Sequence, residues 1–438
     1  MTHSLPRPAC GDDDTEVLVL PNGVRILAVR PSHLASTNVS IYVRTGSRHE
    51  SARLNGISHV VEHMAFKGTA TRDCQQINLE AELLGAEVNA HTDKDHTAYH
   101  MRGLARDALT FVRMLGDIVR HGSFPEAELE RERQVILQEF LEDEDDALST
   151  AFKLFDEASF GRHALAQPVI GRRRNIERFS RDELTGYVAR QYTGSNLIVA
   201  VSGPVELQAL AREVEAVFGD MPAGTPNLVA PPTWVGGVKS RRQPGSSQTH
   251  LVAGFPLPDR LDPLAATGVM AAAVLGEGMS SPLLDRVRER LGLVYYAGCS
   301  TDQSDLAGQF VLEASTTAEH LEACQDEIVA LLQAQAERVS ETDLLRARNQ
   351  IAVRAVRQRE GAQHRLETAA LDLFALGRVR SGAEWLAALE AVDADAVRDC
   401  TRRMLASPAA VAITGKVPTG TRERTEERME RLRSTVTG

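Results

Sequence analysis

The chain has 438 residues, 43% hydrophobic and 25% charged, with a formal net charge of −11. That length exceeds one typical core and calls for two or more domains, and the composition is that of a soluble globular protein. The acidic balance argues against nucleic acid and suits cationic peptides, and no apolar run is long enough to span a membrane.

Residues 1–15 read as a flexible polar tail without the apolar core of a secretory signal. The five cysteines, Cys10, Cys74, Cys299, Cys324 and Cys400, are scattered and odd in number. They read as reduced thiols in a cytoplasmic setting. Val17–Leu20 and Val24–Val29 flank Pro21-Asn22-Gly23 and predict strand, turn, strand. Asn38–Val43 predicts another strand, and the stretch Gly56–Thr69 a helix. Thr71 and Asp73 offer caps for a second helix, which Gly85 stops. Glu87–Met101 reads as two extended segments around a polar turn. Helices follow over Asp107–Val119 and Pro125–Glu142, then a strand over Asn196–Ser202 and a helix over Val205–Phe218.

Residues 221–247 are rich in Pro, Gly and Ser and predict a linker. Beyond it the order begins again. Strands are expected at His250–Phe255, Val294–Ser300, Gln309–Ala314 and Ala409–Thr414. Helices are expected at Pro263–Leu275, Ser281–Leu291, Glu319–Ala336, Glu341–Gln358 and 363–376. The segment from Thr419 reads as a charged surface helix or disordered tail. The repeated order predicts a divergent duplication, supported by Leu129 over Leu344 and Ile136 over Ile351 in two similar charged helices. The expected division is a tail at 1–15, a metal-binding domain at 16–220, a linker at 221–247, a homologous domain without a metal site at 248–418 and a charged tail at 419–438.

The chemistry centres on His59, Glu62 and His63, an H-x-x-E-H pattern. Residues four apart on a helix share a face, so two imidazoles can meet one Zn²⁺. Glu62 lies beside that face, where it can take a proton from a water. The pentapeptide alone leaves open an ordinary amphipathic helix with two polar histidines. The matching helix of the second half, residues 263–276, has no ligand-capable side chain. A catalytic zinc needs a third ligand. Glu132 and Glu139 lie seven apart on one face of the long helix. Glu139 sits among apolar residues, which suggests an inward carboxylate that needs a partner or a metal.

These motifs resemble the insulinase/pitrilysin-type inverzincin metallopeptidases, in particular the short two-domain branch that includes the mitochondrial processing peptidase and its bacterial relatives. The resemblance extends through Gly46-Ser47-Arg48-x-Glu50, Gly56-Ile57, Phe66-Lys67-Gly68-Thr69, Asn89-Ala90-x-Thr92 and Thr97-x-Tyr99. It implies an α+β fold of two homologous domains, each a mostly antiparallel sheet packed against helices, forming half of a clamshell chamber. It implies one Zn²⁺ per chain on His59, His63 and Glu139, with Glu132 supporting the site and Glu62 as general base. Asn89, Ala90 and Thr92 would bind substrate backbone. Arg288 and Tyr295 would hold the substrate and steady its oxyanion. The expected activity is endopeptidase cleavage of unfolded peptides by a homodimer, or by a heterodimer with a metal-free homologous subunit. Two other readings share the fold: a non-catalytic scaffold subunit, and a maturation peptidase dedicated to one precursor. The run Glu142–Asp146 reads either as an attractor of basic peptides or as a solvated helix end. His91, His96 and His100 fall at uneven heights and faces around a strand, turn and strand, so ordinary polar positions are expected there rather than a second metal site.

Overall fold

The computed structural model describes Asp12, residues 14–31 and residues 33–437. The expected tail at 1–15 therefore falls mostly outside the described residues. Two sheets organise the chain. The first contains β1 (Thr15–Val19), β2 (Arg25–Val29), β3 (Ser36–Val43), β4 (Glu87–Thr92), β5 (Thr97–Leu104) and β6 (Leu197–Ser202), in the order β1-β2-β6-β3-β5-β4. The second contains β7 (Gly237–Arg242), β8 (Thr249–Leu257), β9 (Val294–Gln303), β10 (Gly308–Thr316) and β11 (Ala410–Gly415), in the order β7-β11-β8-β10-β9.

Without β1 the two plans superimpose strand for strand. β2 pairs parallel with β6, and β7 parallel with β11. The other pairings in both sheets are antiparallel. A helix follows the third strand of the first sheet and its counterpart β8: α1 (Ile57–Ala65) in one and Ala265–Gly276 in the other. The first half continues with α2 (Cys74–Leu83), α3 (Ala108–His121), α4 (Glu126–Asp145) and α5 (Ala147–Phe160). α4 and its counterpart Glu341–Glu360 are each 20 residues long, and each buries the same pair of positions, Leu129 with Ile136 and Leu344 with Ile351. The structure is thus an α+β duplication with two mixed, mostly antiparallel sheets packed against helices.

The main core of the first sheet lies under α1 and α3. Val60, Val61 and Met64 of α1 join Phe111, Leu115 and Ile118 of α3 against Ile26, Ile41, Val199 and Val201. The opposite face of this sheet is covered from far along the chain. Leu366, Ala370 and Leu373 of the helix Ala362–Leu376 pack on Leu27, Val29, Tyr42, Ile198 and Ala200. The reciprocal helix is α5, whose Ala151, Phe155 and Ala158 pack on Val252, Val311, Ala410 and Ala412 of the second sheet. Gly254 makes room for α5, because a Cβ there would meet Phe155 Cζ at 2.7 Å.

This exchange sets the compact units. One runs to Phe140 and adds Gln167–Val229 and Arg357–Gly382; the other joins Leu141–Ala166, Ala230–Val356 and the chain from Ala383 onward. Three other features add to the sequence reading or change it. The expected linker carries β7, whose polar residues hide a strand that buries only Val238. The charged tail is a helix, Thr421–Thr437, with Met429 and Leu432 in the second core and Arg428 paired to Glu322 and Asp326. Residues 147–191, which carry no predicted element, hold α5 and the helix Arg181–Gln191. Among the described residues no helix is long and apolar enough to cross a membrane.

A fragment ending at Val229 keeps all six strands of the first sheet but loses the helix over Leu27, Val29 and Tyr42. It is expected to bind hydrophobic dye, aggregate and unfold without a sharp transition. A soluble, monomeric fragment with a cooperative melt would contradict this account of the exchange.

Candidate metal centre

The position of α1 is fixed before its first turn. The helix begins at Gly56, which has φ = 100°, and a Cβ there would come 2.8 Å from Gly171 Cα. Only glycine meets both demands. Gly56 has no side chain to cap the helix, so the buried Glu50 carboxylate does so from upstream. It accepts from Gly56 N–H (2.7 Å), Ser58 N–H (2.8 Å) and Asn55 Nδ2 (3.0 Å). These satisfy donors at the helix start that have no partner within the helix and place negative charge at its positive end. Burial pushes the Glu50 carboxyl upward, against the pull of these hydrogen bonds. The Tyr187 hydroxyl ties Ser58 Oγ (2.9 Å) to Thr45 Oγ1 (2.7 Å). The sequence places Glu50 in the family signature but does not reveal this capping role.

Ile57, Val60, Val61 and Met64 bury one face of α1. The other face carries His59, Glu62 and His63. Glu139 Oε2 of α4 lies 3.8 Å from His59 Nε2 and 3.4 Å from His63 Nε2. An ion bound tetrahedrally at about 2.0–2.2 Å holds its ligand atoms about 3.3–3.5 Å apart. Two imidazoles and a carboxylate at this spacing fit Zn²⁺ with little movement. Burial, with the neighbouring His63, pushes the His59 imidazole down to about 4, which keeps it neutral and able to ligate near neutral pH.

Glu132 supports His63 from behind. Its Oε2 lies 3.2 Å from His63 Nδ1, and its Oε1 accepts from Lys67 Nζ at 2.7 Å. That contact directs His63 Nε2 toward Glu139. The apolar context of Glu139 proves a weaker guide than its seven-residue spacing from Glu132. Val135 and Leu141 are 46% and 47% exposed, and the Glu139 side chain is 40% exposed. Glu62 lies within reach of the Thr92 side chain, and burial pushes its carboxyl upward against the pull of His63. A carboxylate raised toward neutrality is a better proton acceptor.

Thr92 ends β4, the edge strand of the sheet, which also carries Asn89 and Ala90. The Asn89 side chain accepts from Ala90 N–H at 2.8 Å. Arg288 and Tyr295 belong to the second unit. Arg288 lies on a π-helical turn with Nη1 3.6 Å from Met279 Sδ, and Tyr295 near the start of β9 is 78% exposed. Two sequence readings change. The acidic run is tied up locally: Lys153 Nζ meets Asp143 Oδ2 at 2.7 Å and Glu144 Oε1 at 2.9 Å, and Arg241 meets Glu144 at 2.8 Å. His91, His96 and His100 are gathered rather than dispersed, because the pairing of Asn89 with His100 and of His91 with Ala98 puts His91 and His100 on one face.

The model of the insulinase family (peptidase family M16) matches residues 25–173, and that of the peptidase M16 inactive domain matches residues 178–351. An uncharacterized zinc protease of Rickettsia bellii is 30% identical, over 92% of this chain and 98% of its own. The mitochondrial-processing peptidase subunit beta of Rattus norvegicus is 30% identical, over 95% of this chain and 87% of its own. The cytochrome b-c1 complex subunit 1 of Mus musculus is 29% identical, over 92% and 87%. A protease from Helicobacter pylori shares the fold with a TM-score of 0.83 at 18% identity, over 94% of this chain and all of that one.

Replacing Glu132 with Ala removes the support of His63 while leaving His59, His63 and Glu139 in place. Zinc affinity, read by competition with a chromophoric chelator, is expected to fall roughly 10- to 100-fold. Unchanged affinity would show that Glu132 does not orient His63.

Proposed function

The chain belongs to the insulinase (M16) peptidase family, and on that premise we propose that it is a zinc-dependent endopeptidase acting on unfolded peptide segments. The observation that carries the reading is the approach of His59 and His63 to Glu139, with Glu62 alongside and Glu132 on His63. Two imidazoles and a carboxylate leave a tetrahedral ion one open position, the mark of a catalytic rather than a structural zinc. The ion, when bound, supplies Lewis acidity and lowers the pKa of water.

The protein's own groups do the rest. His59 and His63 offer neutral nitrogens. Glu62 takes a proton from the attacking water and returns it to the leaving amine. The edge of β4 offers backbone groups to an extended substrate, so that Asn89, Ala90 and Thr92 flank a peptide added as a further strand. Main-chain pairing tolerates varied side chains, which suits a peptidase of broad or unmarked sequence preference. Arg288 and Tyr295 keep the substrate-holding role that the family resemblance gives them.

Two of the relatives are named as subunits, one of a processing peptidase and one of the cytochrome b-c1 complex. We therefore assign the working form to a homodimer or to a pair with a metal-free homologue. The free thiols of Cys74, Cys299, Cys324 and Cys400 favour a reducing, cytoplasm-like compartment. The cytochrome b-c1 relative also supports a second reading, in which the chain is a scaffold subunit that hydrolyses nothing.

The two readings separate in one variant. Glu62→Gln is expected to keep the zinc of the wild type and to lose hydrolysis of a mixed peptide set by roughly 10²- to 10⁴-fold. Zinc content by mass spectrometry and cleavage by chromatography are measured on the same samples. Equal activity in wild type and variant would refute the mechanism. A zinc-loaded wild type that cleaves no peptide would favour the scaffold.

A further inference from the structure

The first unit holds a second cluster of metal-ligating type, separate from the H-x-x-E-H site: His91, Asp93, His96 and Glu367. His91 lies on β4, Asp93 and His96 in the turn to β5, and Glu367 on the helix Ala362–Leu376. His91 Nε2 and His96 Nε2 are 3.3 Å apart. Glu367 Oε1 lies 3.7 Å from the first and 3.8 Å from the second. These separations resemble those of the first site and approach the spacing of about 3.3–3.5 Å around a tetrahedral zinc.

Contacts behind the cluster orient the two rings. His96 Nδ1 lies 3.0 Å from Asp93 Oδ2, which leaves Nε2 facing the centre. His91 Nδ1 lies 3.0 Å from His100 Nε2, and His100 Nδ1 lies 2.8 Å from Ser40 Oγ. With Nδ1 on His100, the His91 ring turns Nε2 toward His96. Two imidazole nitrogens and a carboxylate oxygen converge within 3.8 Å of one another. A cation resolves that convergence. Carboxylate and imidazole partners behind ligating histidines are the usual support of a metal site. A cleft of about 510 Å³, lined by Ser36, Asn38, Arg102 and His364, reaches Glu367.

We propose that His91, His96 and Glu367 bind a second divalent transition metal of the Zn²⁺ class, with Asp93 and His100 orienting the two imidazoles. Two nitrogens and one oxygen suit Zn²⁺ or Co²⁺ over Mg²⁺ or Ca²⁺. Successive strand residues face opposite sides. Thr92 meets Glu62 on one side of β4, and His91 meets Glu367 on the other. The second metal therefore pins the helix Ala362–Leu376 to the edge strand from behind. Its role is structural, and its presence does not depend on peptide hydrolysis.

The test counts metal on the full chain without a histidine tag, after loading with Zn²⁺ and removal of excess. The wild type is expected to hold about two equivalents, and His59→Ala/His63→Ala and His91→Ala/Glu367→Ala about one each. The side chains of His91 and Glu367 are 36% and 29% exposed, so their removal spares the core. Added Zn²⁺ should also raise the melting temperature of His59→Ala/His63→Ala, a shift that further removal of His91 and Glu367 abolishes. A His59→Ala/His63→Ala variant that binds no Zn²⁺ and melts unchanged would overturn the proposal. So would a His91→Ala/Glu367→Ala variant with undiminished metal. Failure of the first site alone would look different: the His59→Ala/His63→Ala variant would hold as much metal as the wild type.

Discussion

A single buried carboxylate fixes where the chemistry can occur. Glu50 accepts two backbone N–H groups at the start of α1 and the amide of Asn55. The backbone donors belong to the turn that carries His59. Without Glu50 they would be buried and unpaired, at a cost of about 1–3 kcal/mol each. The helix start cannot drift, so His59 and His63 arrive at a fixed height opposite α4. Gly46 extends the constraint to the neighbouring hairpin, since a Cβ there would meet Asp93 O at 2.2 Å. Arg48 adds an ion pair of 2.8 Å to Asp95 in the same turn. The segment 46–56 thus couples the motif helix to the β4–β5 turn by direct contact.

Much of the candidate site was legible because its chemistry is local or periodic. His59 and His63 lie one helical turn apart, and Glu132 and Glu139 two turns apart. Such spacings survive translation into three dimensions whatever the rest of the fold does. Glu50 was visible as a residue but not as a cap, since a cap six residues upstream of its helix start has no fixed spacing. The histidine cluster was missed for a different reason. Strand alternation alone places His91 and His96 on opposite faces, but the turn at Asp93 interrupts the alternation. The fourth group, Glu367, comes from 271 residues beyond His96, judging from their positions in the chain. No periodicity links residues across that distance.

The fold itself followed the same division. The strands of the sheets were readable from β-branched runs, and the duplication from their repeated order. The exchange of α5 with the helix Ala362–Leu376 was not. Both helices have an apolar stripe, and a stripe says that a surface is covered without saying which. Chain order suggests the sheet whose strands flank the helix in sequence; the structure uses the other one. Each half therefore leaves one face of its own sheet to be covered by the other half. Contacts between residues more than 300 positions apart, such as Leu27 with Leu366, must form before the first sheet is closed on both sides. Loop closure over such lengths is entropically costly and slows folding. The compensation is that neither half can lose its partner without exposing an apolar sheet face.

This exchange changes what the edge strand β4 can be. An isolated edge strand is mobile and open to unwanted pairing. Here β4 is held on one side by α1 through Glu62 and Thr92, and on the other by the exchanged helix through His91 and Glu367. Only its free edge remains for another strand. An edge restrained on both faces loses little conformational entropy when a peptide pairs with it, so more of the pairing energy goes to binding. The second half differs in this respect. Its corresponding strand, β9, carries no histidine, and its corresponding helix Ala265–Gly276 has no ligand. Duplication supplied two equivalent edges, and among the described residues metal-ligating clusters gather around only one of them.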